Sequence, residues 1–73
     1  MSKTLSATVT GTVWKIESAA GERVEEGDDL LVLESMKMEV PVAAESDCVV
    51  VEFLCKEGDA VLEGQALVIV DPE

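Results

Sequence analysis

The feature that most constrains this chain is an internal duplication. An offset of 37 residues places Gly21, Val24, Glu26, Gly27 and Leu30 over Gly58, Val61, Glu63, Gly64 and Leu67, and also Val13 over Val50. Six identities in order and without a gap are too many for chance among the glycines and valines of a strand-rich chain. The shared pattern is Gly-x-x-Val-x-Glu-Gly-x-x-Leu. Chemistry agrees around those anchors, with Ile16 over Phe53, Val32 over Ile69, Glu22 over Asp59 and Glu34 over Asp71. Two similar halves, residues 11–34 and 48–71, are therefore joined by a segment running from Glu34 to Asp47.

Each half reads as strand, turn, short strand, turn, strand. The runs Thr12–Ile16, Leu30–Leu33 and Ala66–Val70 are β-branched or aliphatic and lie between glycine turns, where Gly27 and Gly64 supply conformations that larger residues would strain. No helical periodicity is sustained. Ala44–Asp47 is turn-like, and Pro41 cannot donate a ladder hydrogen bond, so its strand belongs at a sheet edge or opens there. Seventy-three residues make one domain, spanning 1–73, and 48% hydrophobic content is enough for a core. With Trp14 and Phe53 the only aromatics, that core is built from small aliphatic contacts. The expected class is all-β, a closed or sandwich-like fold in which two interlocked halves share one interior. Lys37 has 36 residues on either side. A hairpin joining symmetric halves would lift it to one end of the molecule, with both termini toward the other.

Charge narrows the partners. Sixteen acidic residues against five basic ones give a net charge of −11, which phosphate backbones and anionic lipid surfaces repel, so neither nucleic acid nor membrane is expected to bind. A docking partner would present a basic surface, unless the charge only keeps the chain soluble. The opening residues lack the apolar stretch of a signal peptide, and no run approaches the roughly 20 apolar residues of a membrane span, which points to the cytoplasm. Without histidine or a Cys-x-x-Cys pair there are too few ligands for a structural zinc. Cys48 and Cys55, seven apart in what reads as one strand, would face opposite sides roughly 20 Å apart and stay unpaired, as buried or half-buried free thiols. No phosphate loop, metal cluster or nucleophile–base pair supports catalysis by the chain itself.

Glu34-Ser35-Met36-Lys37-Met38, with Glu39 behind it, resembles the attachment motif of biotinyl domains, the biotin carboxyl carrier units of biotin-dependent carboxylases and transcarboxylases. The resemblance covers nearly the whole chain, including the glycine pattern before the motif, the spacing to the C-terminus and the second copy of the half-motif. It implies a flattened β-barrel, the barrel-sandwich hybrid, of two four-stranded antiparallel sheets related by a pseudo-two-fold axis. It also implies a biotin covalently bound to Lys37 at the tip of a tight hairpin. A biotin protein ligase would attach the cofactor. A biotin carboxylase would then load it with a carboxyl group, and a carboxyltransferase would pass that group to an acceptor.

Lysine suits the task because a long flexible stem ends in a primary amine that can form an amide, provided the ligase first removes its proton. By the same resemblance, Met36 and Met38 govern compatibility with the carboxylase sites, and Glu34 belongs to the ligase-recognition surface. In a strand-like segment both methionines would point away from an outward lysine. Related lipoyl domains share the fold but usually carry Asp-Lys-Ala, so the flanking methionines favour biotin. A lipoyl carrier and an unmodified barrel-sandwich assembly module are the alternatives. The chain departs from the family pattern at Cys48, where a glycine is common, and in Ala7–Gly11, which lacks the usual prolines. The short Glu17–Gly21 link leaves no room for a thumb insertion, which places it with the thumbless type.

Overall fold

The computed structural model describes all 73 residues and contains eight strands and no helix. They are β1 Lys3–Ser6, β2 Gly11–Ile16, β3 Arg23–Val24, β4 Asp29–Ser35, β5 Met38–Ala43, β6 Cys48–Phe53, β7 Ala60–Val61 and β8 Ala66–Pro72. Two four-stranded antiparallel sheets result, ordered β1-β8-β6-β3 and β5-β4-β2-β7. Exchanging every strand for its counterpart under the 37-residue offset, β1 for β5, β8 for β4, β6 for β2 and β3 for β7, turns the first order into the second. Each sheet thus takes two strands from each half, so neither half has a core without the other.

The duplication is wider than the identities suggest. β1 and β5 are also counterparts, with Leu5 over Val42 and Ala7 over Ala44, all four buried. The halves therefore begin before residues 11 and 48. Between these strands the sequences differ, Lys3-Thr4 against Val40-Pro41, because both are edge strands with one side free of ladder constraints. Pro41 sits on such an edge, opposite Val32 in β4, as expected.

Both faces of the sandwich contribute to one apolar cluster, in which Val13, Leu30, Leu31, Leu33, Val50, Val61, Leu67 and Val68 are fully buried. Burying each such side chain stabilises the fold by roughly 1.5–3 kcal/mol. The aromatics are peripheral, since Phe53 only borders the cluster and Trp14 is half exposed. Trp14 follows the inward-facing Val13, faces outward and is the extra residue of a β-bulge. In β2 the register skips from Val13 opposite Leu33 to Lys15 opposite Val32, and in β6 from Val50 opposite Val70 to Glu52 opposite Ile69. The extra residues, Trp14 and Val51, are counterparts under the 37-residue offset.

An inserted residue switches which face the following side chains take. Ile16 rather than Lys15 turns inward after the bulge in β2. The same switch corrects the expectation for the cysteines. Cys48 opens β6 and Cys55 lies just past its end, yet both are buried, at 2% and 7% exposure, because the bulge between them reverses the alternation. Both are free thiols, and burial pushes the pKa of each up, helped by Asp47 and Glu73 at Cys48 and by Asp59 at Cys55.

The ladder also locates the two ends of the molecule, whose longest dimension is 34 Å. β4 and β5 run from Ser35 opposite Met38 at their tip to Asp29 opposite Ala43 at their base. From that base Ala44–Asp47 crosses to Cys48, whose partner is Pro72, and the Glu73 N–H donates to the Asp47 carbonyl at 3.0 Å. Lys3 is ion-paired with Glu45 at the same end. The chain termini therefore lie opposite the β4–β5 tip, at the place where a second such hairpin would stand if the ends of β8 and β1 were joined.

Candidate functional site: the β4–β5 hairpin

Only Met36 and Lys37 connect β4 to β5. Their φ angles are 52° and 66°, so both residues adopt the left-handed conformation of a two-residue type I′ turn, whose twist matches that of the strands it joins. Asparagine and glycine favour this geometry, whereas a larger side chain costs about 1–2 kcal/mol per residue. The strain is sustained because Ser35 and Met38, Glu34 and Glu39, and Leu33 and Val40 are already paired below it, with Leu33 anchored in the core. Met36→Asn is accordingly expected to stabilise the domain by about 0.5–1 kcal/mol, raising its thermal midpoint by a few degrees. An unchanged or lowered midpoint in a calorimetric scan would show that the turn stores no such strain.

Lys37 is exposed at this tip, between Met36 at 93% and Met38 at 66% exposure. Three of the five basic side chains are ion-paired: Lys3 with Glu45, Lys15 with Glu17, and Arg23 with Asp47 and Glu73. Lys37 has no such partner and its amine faces solvent. Glu34 and Glu39 stand opposite one another across the ladder, both exposed, with Thr12 on the other side of Glu34. The expected residues Glu34, Met36, Lys37 and Met38 thus share one end of the molecule. Met36 differs from the strand-based expectation in one respect: it belongs to the turn itself and not to a strand.

Three further residues hold the hairpin just below its turn. The Ser35 hydroxyl donates to the Thr10 carbonyl at 2.9 Å, and the Thr10 hydroxyl accepts from the Glu63 N–H at 3.0 Å. Gly11 lies so close to β4 that a Cβ there would come within 2.2 Å of the Glu34 carbonyl oxygen. Sequence reasoning passed over Thr10, Ser35 and Glu63 because their contacts span 25 and 53 residues of chain. The signal available was Thr10-Gly11 itself, the counterpart of the irregular Asp47-Cys48. There the same strand start accommodates a buried cysteine, opposite Pro72 of β8.

No concavity accompanies the lysine. The one in the structure, of about 150 Å³, lies at the seam between β1 and β5 and is lined by Leu5, Thr8, Pro41, Val42 and Glu45 among others. No cluster of side chains near the tip could hold a metal ion. An exposed primary amine on a two-residue turn fits an amide-linked cofactor.

Known proteins of the same build agree. The family model described as "Biotin-requiring enzyme" matches residues 1–70. A biotin/lipoyl attachment protein of Bacillus subtilis is 44% identical over 64 residues, 88% of this chain and 88% of that protein. The biotin-dependent acyl-coenzyme A carboxylase alpha3 subunit of Mycobacterium leprae is 40% identical over 63 residues, which cover 86% of this chain but 10% of the subunit. Part of a single-chain, multi-domain long-chain acyl-CoA carboxylase superposes with a TM-score of 0.94 at 30% identity, over 99% of this chain and 7% of that one. With the family pattern matched nearly end to end on the same fold, the chain belongs to the biotin/lipoyl attachment family and is a biotin attachment domain similar to the carrier domains of biotin-dependent carboxylases.

Proposed function

We propose that Lys37 is the residue that receives biotin, and that the domain carries carboxyl groups between a biotin carboxylase and a carboxyltransferase after a biotin protein ligase has modified it. The observation that carries this reading is the placement of an unpaired, solvent-facing lysine at the tip of a two-residue turn, within Met36-Lys37-Met38. Bound biotin would supply the ring that takes up and releases the carboxyl group. The chain's part is presentation: the core-anchored β4–β5 ladder holds the amine at a defined place, and the lysine stem adds reach. Amide formation removes the positive charge, so the loaded tip enters an apolar site without desolvating an ammonium group.

In this reading the domain has no catalytic residue of its own. Deprotonation of the amine and activation of biotin belong to the ligase, and carboxyl transfer belongs to the two partner enzymes. Glu34, opposite Glu39 just below the turn, belongs to the surface that the ligase reads. The reading places the domain in the cytoplasm, and no helix is long and apolar enough to cross a membrane.

Intact-mass measurement after incubation with a biotin protein ligase, biotin and ATP tests the assignment. A gain of one biotinyl group, mapped to the peptide containing Lys37, is expected. In protein purified from a host that supplies both cofactors, a lipoyl gain at the same residue would replace the assignment. A permanently bare lysine would leave the unmodified assembly module.

A further inference from the structure

The duplication supplies an internal control for charge. The two ends of the molecule share one backbone, and the hydrogen bonds of their turns repeat, except that the Thr10 carbonyl accepts from the Ser35 hydroxyl where the Asp47 carbonyl accepts from the Glu73 N–H. Gly27 N–H donates to the Ala44 carbonyl at 2.9 Å at the far end, as Gly64 N–H does to Ala7 at 2.8 Å at the lysine end. The side chains on that common backbone differ mainly in one direction, with Glu39 over Ser2 the exception. Glu25, Asp28, Asp29, Glu45 and Asp47 at the far end are matched by Leu62, Gln65, Ala66, Thr8 and Thr10 at the lysine end. Five carboxylates have neutral counterparts.

Two of these differences keep the hydrogen bond and omit only the charge. The Glu25 N–H donates to an Asp28 carboxylate oxygen at 3.0 Å, and its counterpart, the Leu62 N–H, donates to the Gln65 amide oxygen at 3.0 Å. The Glu26 N–H donates to Asp47 at 2.9 Å, and the Glu63 N–H to the Thr10 hydroxyl at 3.0 Å. Basic partners are missing as well. Arg23, 3.7 Å from Asp47, is matched by Ala60, and Lys3, paired with Glu45, is matched by Val40. Whole ion pairs at one end correspond to neutral pairs at the other, and Leu62 is left 67% exposed where the far end has a glutamate. Folding does not demand this, since the far end adopts the same backbone fully charged.

Depletion of charge together with exposed Met and Leu is the composition of an interface core, whereas charges left around it form a rim. We infer that Thr8, Thr10, Leu62 and Gln65, with Met36 and Met38, form the surface on which the enzyme that acylates Lys37 seats itself, and that this enzyme meets it with a neutral, apolar face. Glu34, Glu39 and Glu63 form the rim. The general expectation of a basic partner, drawn from net charge, applies to the rim alone. The inference rests on Lys37 being the acceptor.

The far end also provides the test, because it shows which residues the common backbone accepts. In Thr10→Asp/Leu62→Glu/Gln65→Asp the three positions take the residues of their own counterparts, so both hydrogen bonds can persist. With purified biotin protein ligase, biotin and ATP, this triple variant is expected to keep its thermal midpoint within a few degrees while kcat/KM falls about tenfold or more, mainly through KM. The reverse exchange at the far end, Glu25→Leu/Asp28→Gln, should change kcat/KM by less than about twofold. Wild-type kcat/KM should vary little as salt shortens the Debye length from about 10 Å to about 3 Å. A folded triple variant modified as fast as wild type overturns the inference, as does a steep loss of wild-type rate with salt. Should the triple variant fail to fold, Leu62→Glu alone, at an exposed position, gives the same reading on a smaller scale. A wild-type domain that gains no biotin at all overturns the acceptor assignment and this inference with it. Biotinylation that is equal in wild type and variant overturns only the docking face.

Discussion

Arginine in place of Lys37 is expected to take biotin incorporation from stoichiometric to undetectable by intact mass, the largest functional effect any single substitution should have. Arginine keeps the positive charge and a long stem, and its guanidinium is planar and permanently protonated, so it lacks the free electron pair that an acyl transfer needs. The tip gives the fold no reason to object, since residue 37 is exposed and makes no ion pair. The variant should therefore unfold with the wild-type midpoint, and carboxylase activity that depends on the domain should vanish with the modification. Lys56 is the other lysine outside the ion pairs, and Lys56→Arg provides the control: it should leave incorporation unchanged. Full modification of the Lys37→Arg protein, or carboxylase complementation by it, would remove Lys37 from its assigned role.

The largest effect on stability is expected from Gly11→Ala. This glycine is needed for space rather than for backbone freedom, because its missing Cβ would lie 2.2 Å from the Glu34 carbonyl oxygen and 3.3 Å from the Ser35 Cβ. The obstacle is backbone, and that backbone is the strand leading into the turn, so it cannot swing aside as a side chain would. A loss of about 2–4 kcal/mol follows from overpacking of this kind, against a total of about 4–11 kcal/mol for a domain of this size. The thermal midpoint should drop on the order of 10–20 °C. Gly27→Ala makes the informative contrast. It has a φ of 91° with open space around its Cβ position, and its cost should be about 1 kcal/mol, from backbone strain alone. Equal midpoints for the two variants would show that β2 and β4 can separate without penalty. In that case the Ser35–Thr10 hydrogen bond, rather than the close approach at Gly11, would hold the hairpin to the body.

Strand content, a closed or sandwich-like all-β fold and the lysine-bearing hairpin were legible in the chain itself, each for a local or periodic reason, whereas the two four-stranded sheets were implied by the family resemblance. Glycine turns repeat at a fixed offset, aliphatic runs lie between them, Pro41 marks an edge, and a lysine at the midpoint of a duplicated sequence must sit where the halves join. Tertiary structure alone decided the rest. The bulges at Trp14 and Val51 reverse the faces of the residues after them, which is why Cys48 and Cys55 share one interior despite their odd spacing. The clasp of Ser35, Thr10 and Glu63 joins segments distant along the chain, and the clearance at Gly11 depends on a strand contributed by another part of the fold. Periodicity and spacing report what each residue does relative to its neighbours in the chain, and a two-residue period is indifferent to where an extra residue enters. Contacts between interlocked halves arise only when both are folded, because each sheet is completed by strands from the other half.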